Sequence, residues 1–308
     1  MKFGIGAALV LLAVSPLLVA SNGLLNFGTG VLIAALAAQG WNIIGGLGGQ
    51  LSFGHAAFYG TGAYCAALLQ LRFGWNAFAA AGAGVMAGAA LGAAVGAVVF
   101  RAGLRGSYFA LVTLAIAEVL RILANAAPVT GGAAGLLLPL DPRPGHFQFA
   151  SRASFYAVAL AGVGVALAIT AWITRSRFGA QLAAVRENED AARALGIDAF
   201  GVKVRAMTVS AGITAAAGVL YLQYYLYIDA TIAYGTSVSV AALLAPVIGG
   251  VGTVLGPVLG AVALEALGAL TRMVAGSRAG LDQVLFGVLL IAAIAFVPGG
   301  LAGRRGRP

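Results

Sequence analysis

The stretch Asn76–Phe100, NAFAAAGAGVMAGAALGAAVGAVVF, runs for 25 residues without a charged side chain. At about 1.5 Å of rise per residue, a helix of that length crosses a hydrocarbon core of about 30 Å. The run lacks the alternation of apolar and polar positions that a membrane barrel strand requires. A lipid-crossing α-helix is therefore predicted. Within it Gly84, Gly88, Gly92 and Gly96 recur every fourth residue. One helix face thus has no side chains, and a neighbouring backbone can approach closely. Helix packing is the plain use of such a face; small residues also permit a sliding interface.

The rest of the chain repeats this character. Of its 308 residues 61% are hydrophobic and only 9% charged, and the mean hydropathy is +0.99. Soluble domains carry charge on roughly a quarter of their residues, so soluble enzyme classes are excluded. Further apolar runs cover about Gly4–Ala20, Phe27–Ile44, Leu51–Leu71, Ser107–Asn125, Ala153–Thr174, Ala206–Ile228, Val254–Thr271 and Leu281–Val297. With Asn76–Phe100 they make nine. A tenth, Thr236–Val251, is short and holds Pro246, Gly249 and Gly250, which fits a cramped span or a re-entrant helix. The expected fold is all-α: one polytopic transmembrane bundle over residues 1–308 with nine or ten spans. Gly4–Ala20 could be a signal peptide, but Leu18 is poor at the small-residue position of a cleavage site, and a retained anchor is expected.

The net charge of +9 would suggest nucleic acid in a soluble protein. Here the cations gather at helix ends, so no nucleic-acid partner is expected and the charge sets membrane orientation. Arg101 and Arg105 follow one run. Six cations and four acids share residues 175–205, and Arg304, Arg305 and Arg307 form the tail. Placing loop and tail on the same inner side requires an even number of crossings between them, which favours ten. Residues 126–152, rich in proline and glycine, then form an outer loop. Only Arg272 and Arg278 run against this scheme. Cys65 has no possible intramolecular partner.

Little in the chain points to chemistry. A phosphate-binding loop needs a lysine after its last glycine, and the two lysines, Lys2 and Lys203, lie far from the glycine-rich stretches. The segment Gly45–Tyr64, GGLGGQLSFGHAAFYGTGAY, mixes seven glycines with Gln50, Ser52, His55 and Tyr59. Such composition predicts a distorted helix, which survives at membrane depth only where protein or a water-filled cavity satisfies it. These residues are candidates for a pathway lining; a cytoplasmic turn with a hydrogen-bonded His55 is the alternative. No metal is expected, since His146 is the only other histidine. Glu118 and Arg121, three residues apart, share a helical face and are expected to pair towards the bundle interior, or to serve near the pathway. Glu265 has no cation within a turn, so a partner on another helix is expected. Tyr221, Tyr224, Tyr225 and Tyr227 suit an interfacial belt. No nucleophile with an adjacent base and no paired catalytic carboxylates appear, so no catalytic residue is assigned.

The most specific stretch is Val185–Val202, VRENEDAARALGIDAFGV. Residues Gln181–Leu195 lack glycine and proline and read as one solvent-exposed helix stopped by Gly196. The segment resembles the cytoplasmic coupling loop of bacterial ABC-importer permeases, in particular the Arg-Glu-Asn-Glu form of the LivM-type branched-chain amino acid permeases. Arg186, Glu187, Asn188 and Glu189 match that form, Ala191 and Ala192 the alanine pair, and Gly196 with Ile197 the stop. Asp190 departs from the general importer pattern, a departure that the LivM form shares. GGQLSFGHAAFYGTGAY from Gly48, GSYFALVTLAIAEVLRIL from Gly106, TGGAAGL from Thr130 and PVIGGVGTVLGPVLGA from Pro246 resemble the same family, extending the likeness over about Asn42–Val297.

The resemblance implies a permease subunit of the bacterial inner membrane that imports leucine, isoleucine and valine. It implies as partners a second permease of LivH type, two ATPase subunits that bind the ATP, and a periplasmic substrate-binding protein. No cofactor is expected in this chain. Cargo of urea, amides or other amino acids stays open. A stand-alone ion-driven transporter is the reading from another class, and the scarcity of deep ionisable groups speaks against it.

Overall fold

The computed structural model describes residues 21–141, 146–149, 151–275 and the single positions 281, 284, 285, 287, 288, 291 and 301. The predicted span Gly4–Ala20, nearly all of Leu281–Val297, Lys2, Arg278 and the three tail arginines lie outside them.

The described chain is a helical bundle. Its helices are α1 (Asn22–Trp41), continued by a π-helical turn over Asn42–Leu47, α2 (His55–Phe73), α3 (Ala77–Arg101), α4 (Gly106–Ala126) and α5 (Arg152–Arg175). Two short helices follow, α6 (Arg177–Glu187) and α7 (Glu189–Ala194), and then α8 (Ala199–Tyr225), α9 (Ala230–Tyr234), α10 (Thr236–Gly249) and α11 (Gly256–Ala275). Seven units are long and apolar enough to cross a membrane: α1 with its π turn, α3, α4, α5, α8, α9 with α10, and α11. The predicted run Leu51–Leu71 is realised as α2. Its His55, Thr61, Gln70 and Arg72 lower its hydropathy, and α3, α8 and α9 surround it.

The core is α8, packed against α1, α2 and α3. The glycine ladder of α3 explains the closeness of that packing. A Cβ at Gly88 would strike Ala215, one at Gly92 would strike Ala211, and one at Gly96 would lie 3.2 Å from Met207. At Gly84 it would meet Gly62 O at 2.5 Å and Val219 at 3.0 Å. Val219, Ala215, Ala211 and Met207 are themselves four apart, so two antiparallel helices mesh rung by rung with glycine as the hole and α8 as the knob.

Three expectations are revised. Gln181–Leu195 is not one helix: the chain breaks at Asn188, which is extended at φ −155° and ψ 106°. Its side-chain oxygen accepts from the N–H groups of Asp190 and Ala191 at 3.1 and 3.0 Å. Glu189 and Asp190 then fill the first turn, where the helix dipole favours acids. Second, α8 starts at Ala199, seven residues before the apolar run, because Asp198 caps Gly201 N–H at 3.0 Å. It ends at Tyr225, where Leu226 turns left-handed at φ 58°. Third, α10 is short, but with α9 it forms a 20-residue unit of spanning length. The glycines after it let α11 return alongside: a Cβ at Gly249 would strike Gly256 O and one at Gly260 would strike Ala245 O.

Connections alternate between the two ends. At one end lie the π turn, the Ala102–Arg105 turn, α6, α7 and the turn after α10, tied by Gly252 N–H to Asn42 Oδ1 at 2.8 Å and Arg105 to Glu189 at 3.2 Å. At the other end residues 127–141 and 226–229 meet, joined by a two-residue antiparallel ladder, β1 (Leu136–Leu137) with β2 (Tyr227–Ile228).

Candidate functional site

Arg186, Glu187, Asn188, Glu189, Ala191, Ala192 and Gly196 sit together on the α6–α7 elbow, but they divide in two. Glu189 and Ala192 turn inward and are buried. The Glu189 carboxylate binds Lys203 Nζ at 2.8 Å, Arg193 at 2.7 Å and Arg105 at 3.2 Å. Lys203 is itself buried, and its ammonium lies 4.9 Å from the centre of the Phe100 ring, which stacks on Phe109. One carboxylate thus ties together α7, the first turns of α8 and the α3–α4 turn. Glu187, Asn188, Asp190, Ala191, Leu195 and Gly196 remain exposed. Gly196 has φ 81° with open space around it, and Ile197 N–H returns to Ala192 O at 3.0 Å, so its role is the left-handed stop.

The elbow rests on the glycine loop. The Arg186 stem crosses Gly49, whose φ is +67° and whose Cβ would lie 2.5 Å from Arg186 Cγ; Leu182 similarly covers Gly48 at 3.3 Å. Arg186 also donates to Gly46 O at 3.4 Å and to Glu187 at 3.0 Å. Glycine is needed at position 49 for both its backbone angle and the close approach.

Beyond that seat, residues 48–54 run non-helically into the bundle, and side chains satisfy their backbone. Trp41 Nε1–H donates to Ser52 O at 2.8 Å, Thr113 Oγ1 accepts from Phe53 N–H at 3.2 Å, and Ser239 Oγ accepts from Ala56 N–H at 2.9 Å. Ser52 and His55 form part of this brace. His55 Nδ1 lies 3.1 Å from Ser52 Oγ and Nε2 lies 2.9 Å from Ser210 Oγ, while Ser210 donates to Gly40 O at 2.6 Å and Gly54 N–H donates to Ser52. With a neutral imidazole, one proton arrangement serves all four bonds: Ser52 donates to Nδ1, and Nε2–H donates to Ser210. His55 is thus a fully buried link between α2, α8 and α1. Among the described residues no group of histidines, cysteines or carboxylates could hold a metal.

The remaining pathway candidates scatter. Gln50 lies at the π turn with its Oε1 buried and unpartnered. Glu118 and Arg121 form the expected pair, with two hydrogen bonds of 2.9 and 2.6 Å. Their side chains are 43% and 32% exposed, so the pair faces outward from this chain and not into its interior. The reason is register: Phe109, Thr113, Ala117 and Ala124 form the packed face of α4.

Tyr59 lines a cavity. A cleft of about 220 Å³ between α1, α2, α8, α10 and α11 is bounded by Tyr59, Tyr221, Tyr225 and Glu265 on an aliphatic wall. The Tyr59 and Tyr221 rings are 6.0 Å apart and those of Tyr221 and Tyr225 4.5 Å apart. The partner expected for Glu265 on another helix is not found among the described residues. Tyr225 also borders a polar pocket of about 330 Å³ at the loop-ladder end, with Asn26, Arg152 and Gln223. Gln223 is buried there with both amide atoms unpartnered. A wider cavity of about 650 Å³ between α3, α5 and α8 is lined almost wholly by aliphatic groups. A polar solute would lose its water there without replacement bonds.

Sequence reasoning missed Arg105, Lys203, Ser210 and Gln223. The signal for Lys203 was available: a cation at the head of an apolar helix, with Glu189 one short helix away.

Residues 23–294 match a family described as "Branched-chain amino acid transport system / permease component". The chain is 30% identical over 285 residues to the Escherichia coli high-affinity branched-chain amino acid transport system permease protein LivM, an alignment covering 83% of this chain and 65% of that protein. It therefore spans about two thirds of the length of that relative. It is 29% identical to the E. coli permease LivH (88% of this chain, 91% of the relative) and 28% identical to the Pseudomonas aeruginosa permease BraD, with the same coverage. No solved structure is significantly similar to it.

Proposed function

Because this chain belongs to the family of branched-chain amino acid transport permease components, a multi-pass membrane protein, we propose that it forms half of the pathway of an ATP-driven importer for leucine, isoleucine and valine in a bacterial inner membrane. A second, LivH-type permease completes the pathway. Two ATPase subunits bind and hydrolyse ATP beneath the α6–α7 elbow, and a periplasmic binding protein delivers the solute to residues 126–152. The chain itself performs no chemistry. Residues 175–205 then lie in the cytoplasm.

The observation that carries this reading is the divided elbow. A contact that transmits force must be rigid below and open above. Glu189 with three cations supplies the first, and the exposed edge of Glu187, Ala191 and Leu195 supplies the second. Leu195 is 82% exposed, an apolar knob rimmed by charge, which suits a protein partner. Displacement of α6 acts through Arg186 and Leu182 on the glycine loop, and through the Ser52–His55–Ser210 chain on α2 and α8.

The test is a reconstituted complex carrying Glu187→Lys or Leu195→Glu. ATP hydrolysis should persist while uptake falls by at least tenfold, with the chain still in the membrane. Normal ATP-driven uptake in both variants refutes the assignment.

A further inference from the structure

Glu265 carries a carboxylate on a spanning helix, α11, yet it has no ion pair and no hydrogen bond among the described residues. Arg272, two turns along the same helix, attracts it only at longer range and makes no ion pair with it. A carboxylate at such depth is costly unless something neutralises it. Glu118, by contrast, is paired to Arg121. What Glu265 does face is the 220 Å³ cleft, with three tyrosines and an aliphatic wall.

We propose that this cleft is a binding station for the transported solute, in which the Glu265 carboxylate receives an ammonium group. The inference rests on the reading of the chain as an amino acid permease and adds to it a site on this chain for such a ligand, a small zwitterion with a primary amine and an aliphatic side chain. Three features converge on that class. The carboxylate supplies the counter-charge. Tyr59, Tyr221 and Tyr225 line the cleft, and aromatic rings suit a cation. The volume of about 220 Å³ equals about seven waters at roughly 30 Å³ each, room for a solute of amino acid size and too little for a peptide. Tyr225 also borders the larger polar pocket, where Arg152 and the unpartnered Gln223 amide suit a carboxylate. Neutral amides lack the group that Glu265 needs.

The test is equilibrium binding of labelled L-leucine to the complete importer in lipid nanodiscs, without the soluble binding protein, with 4-methylpentanoate as the competitor that lacks the amine. The wild type should bind leucine and discriminate against the deaminated acid by about tenfold or more, the size expected for one charge-assisted contact. Glu265→Gln should lose that factor in leucine affinity and the discrimination with it, while Glu265→Asp keeps most of both. Co-elution of each variant with its partner subunits guards against misfolding. Unchanged leucine affinity in Glu265→Gln, or equal competition by the deaminated acid in the wild type, overturns the site. Uptake by the wild-type importer separates the two levels: no amino acid uptake at all overturns the functional reading, whereas uptake with an indifferent Glu265 overturns only this inference.

Discussion

Replacing Glu189 by alanine is the sharpest probe of the loop's architecture. The Glu189 side chain is 7% exposed and that of Lys203 2%, so the substitution strands a buried ammonium beside the Phe100 ring. Breaking a buried pair from one side costs about 3–5 kcal/mol, a large share of the 5–15 kcal/mol that typically separates folded from unfolded protein. Lys203→Met is the milder partner. It leaves Glu189 bonded to Arg193 and Arg105, whose side chains are half-exposed, so the loss is one charged hydrogen bond, roughly 1.5–3 kcal/mol. Glu189→Met with Lys203→Met removes both charges and should recover to within about 1 kcal/mol of Lys203→Met alone. Unfolding of the purified chain in mixed micelles by increasing SDS fraction, followed by far-ultraviolet circular dichroism, gives all three values. Because the pair is buried, the order should survive 1 M salt, which screens exposed pairs to a few ångströms. Two results refute the reasoning: Glu189→Ala costing no more than Lys203→Met, or the double variant remaining as unstable as Glu189→Ala. The same geometry separates two functional outcomes. Reversing Glu189 should lower the amount of folded protein, whereas reversing the exposed Glu187 should act on coupling.

Three further outcomes follow from particular contacts. Gly92→Leu drives a side chain into Ala211 and should abolish folded protein in the membrane, while Gly82→Leu, on the same helix with nothing within 4 Å of its Cβ, should accumulate normally; membrane-fraction immunoblots decide. Arg121→Gln leaves Glu118 without its two hydrogen bonds and should reduce membrane levels, and adding Glu118→Gln should restore them, since no unpaired charge then remains at depth. Gly196→Val meets no steric obstacle but forces a β-branched residue to φ 81°, so it should destabilise the loop by about 1–2 kcal/mol, readable as faster proteolysis of the α7–α8 junction.

Legibility in the sequence follows the range of the interaction concerned. Apolar length is a local property, and seven of the predicted spans stand where the runs placed them, with ends moved by caps such as Asp198 that hydropathy does not weigh. The glycine ladder of α3 was equally plain, and its complement was also written in the chain, as Met207, Ala211, Ala215 and Val219 at the same four-residue spacing. What no local pattern states is that the two ladders run antiparallel and in register, because that depends on how α8 is placed among α1, α2 and α3. The coupling segment shows the limit most clearly. Helix propensity over Gln181–Leu195 favours a continuous rod. The observed elbow costs a broken turn at Asn188 and recovers it through a cap and a carboxylate that three cations hold. Two of those, Arg193 and Lys203, are close in sequence, but Arg105 arrives from the α3–α4 turn and is visible only once the topology has brought that turn to the same end. His55 is the converse case: its residue type and glycine-rich surroundings suited a pathway lining as well as a buried brace. Only the placement of Ser210 and Gly40, from two other helices, assigns its protons. Charges and small polar groups in this bundle therefore take their meaning from the helix opposite them, and Glu265, for which no described helix supplies a partner, is where a solute is most usefully sought.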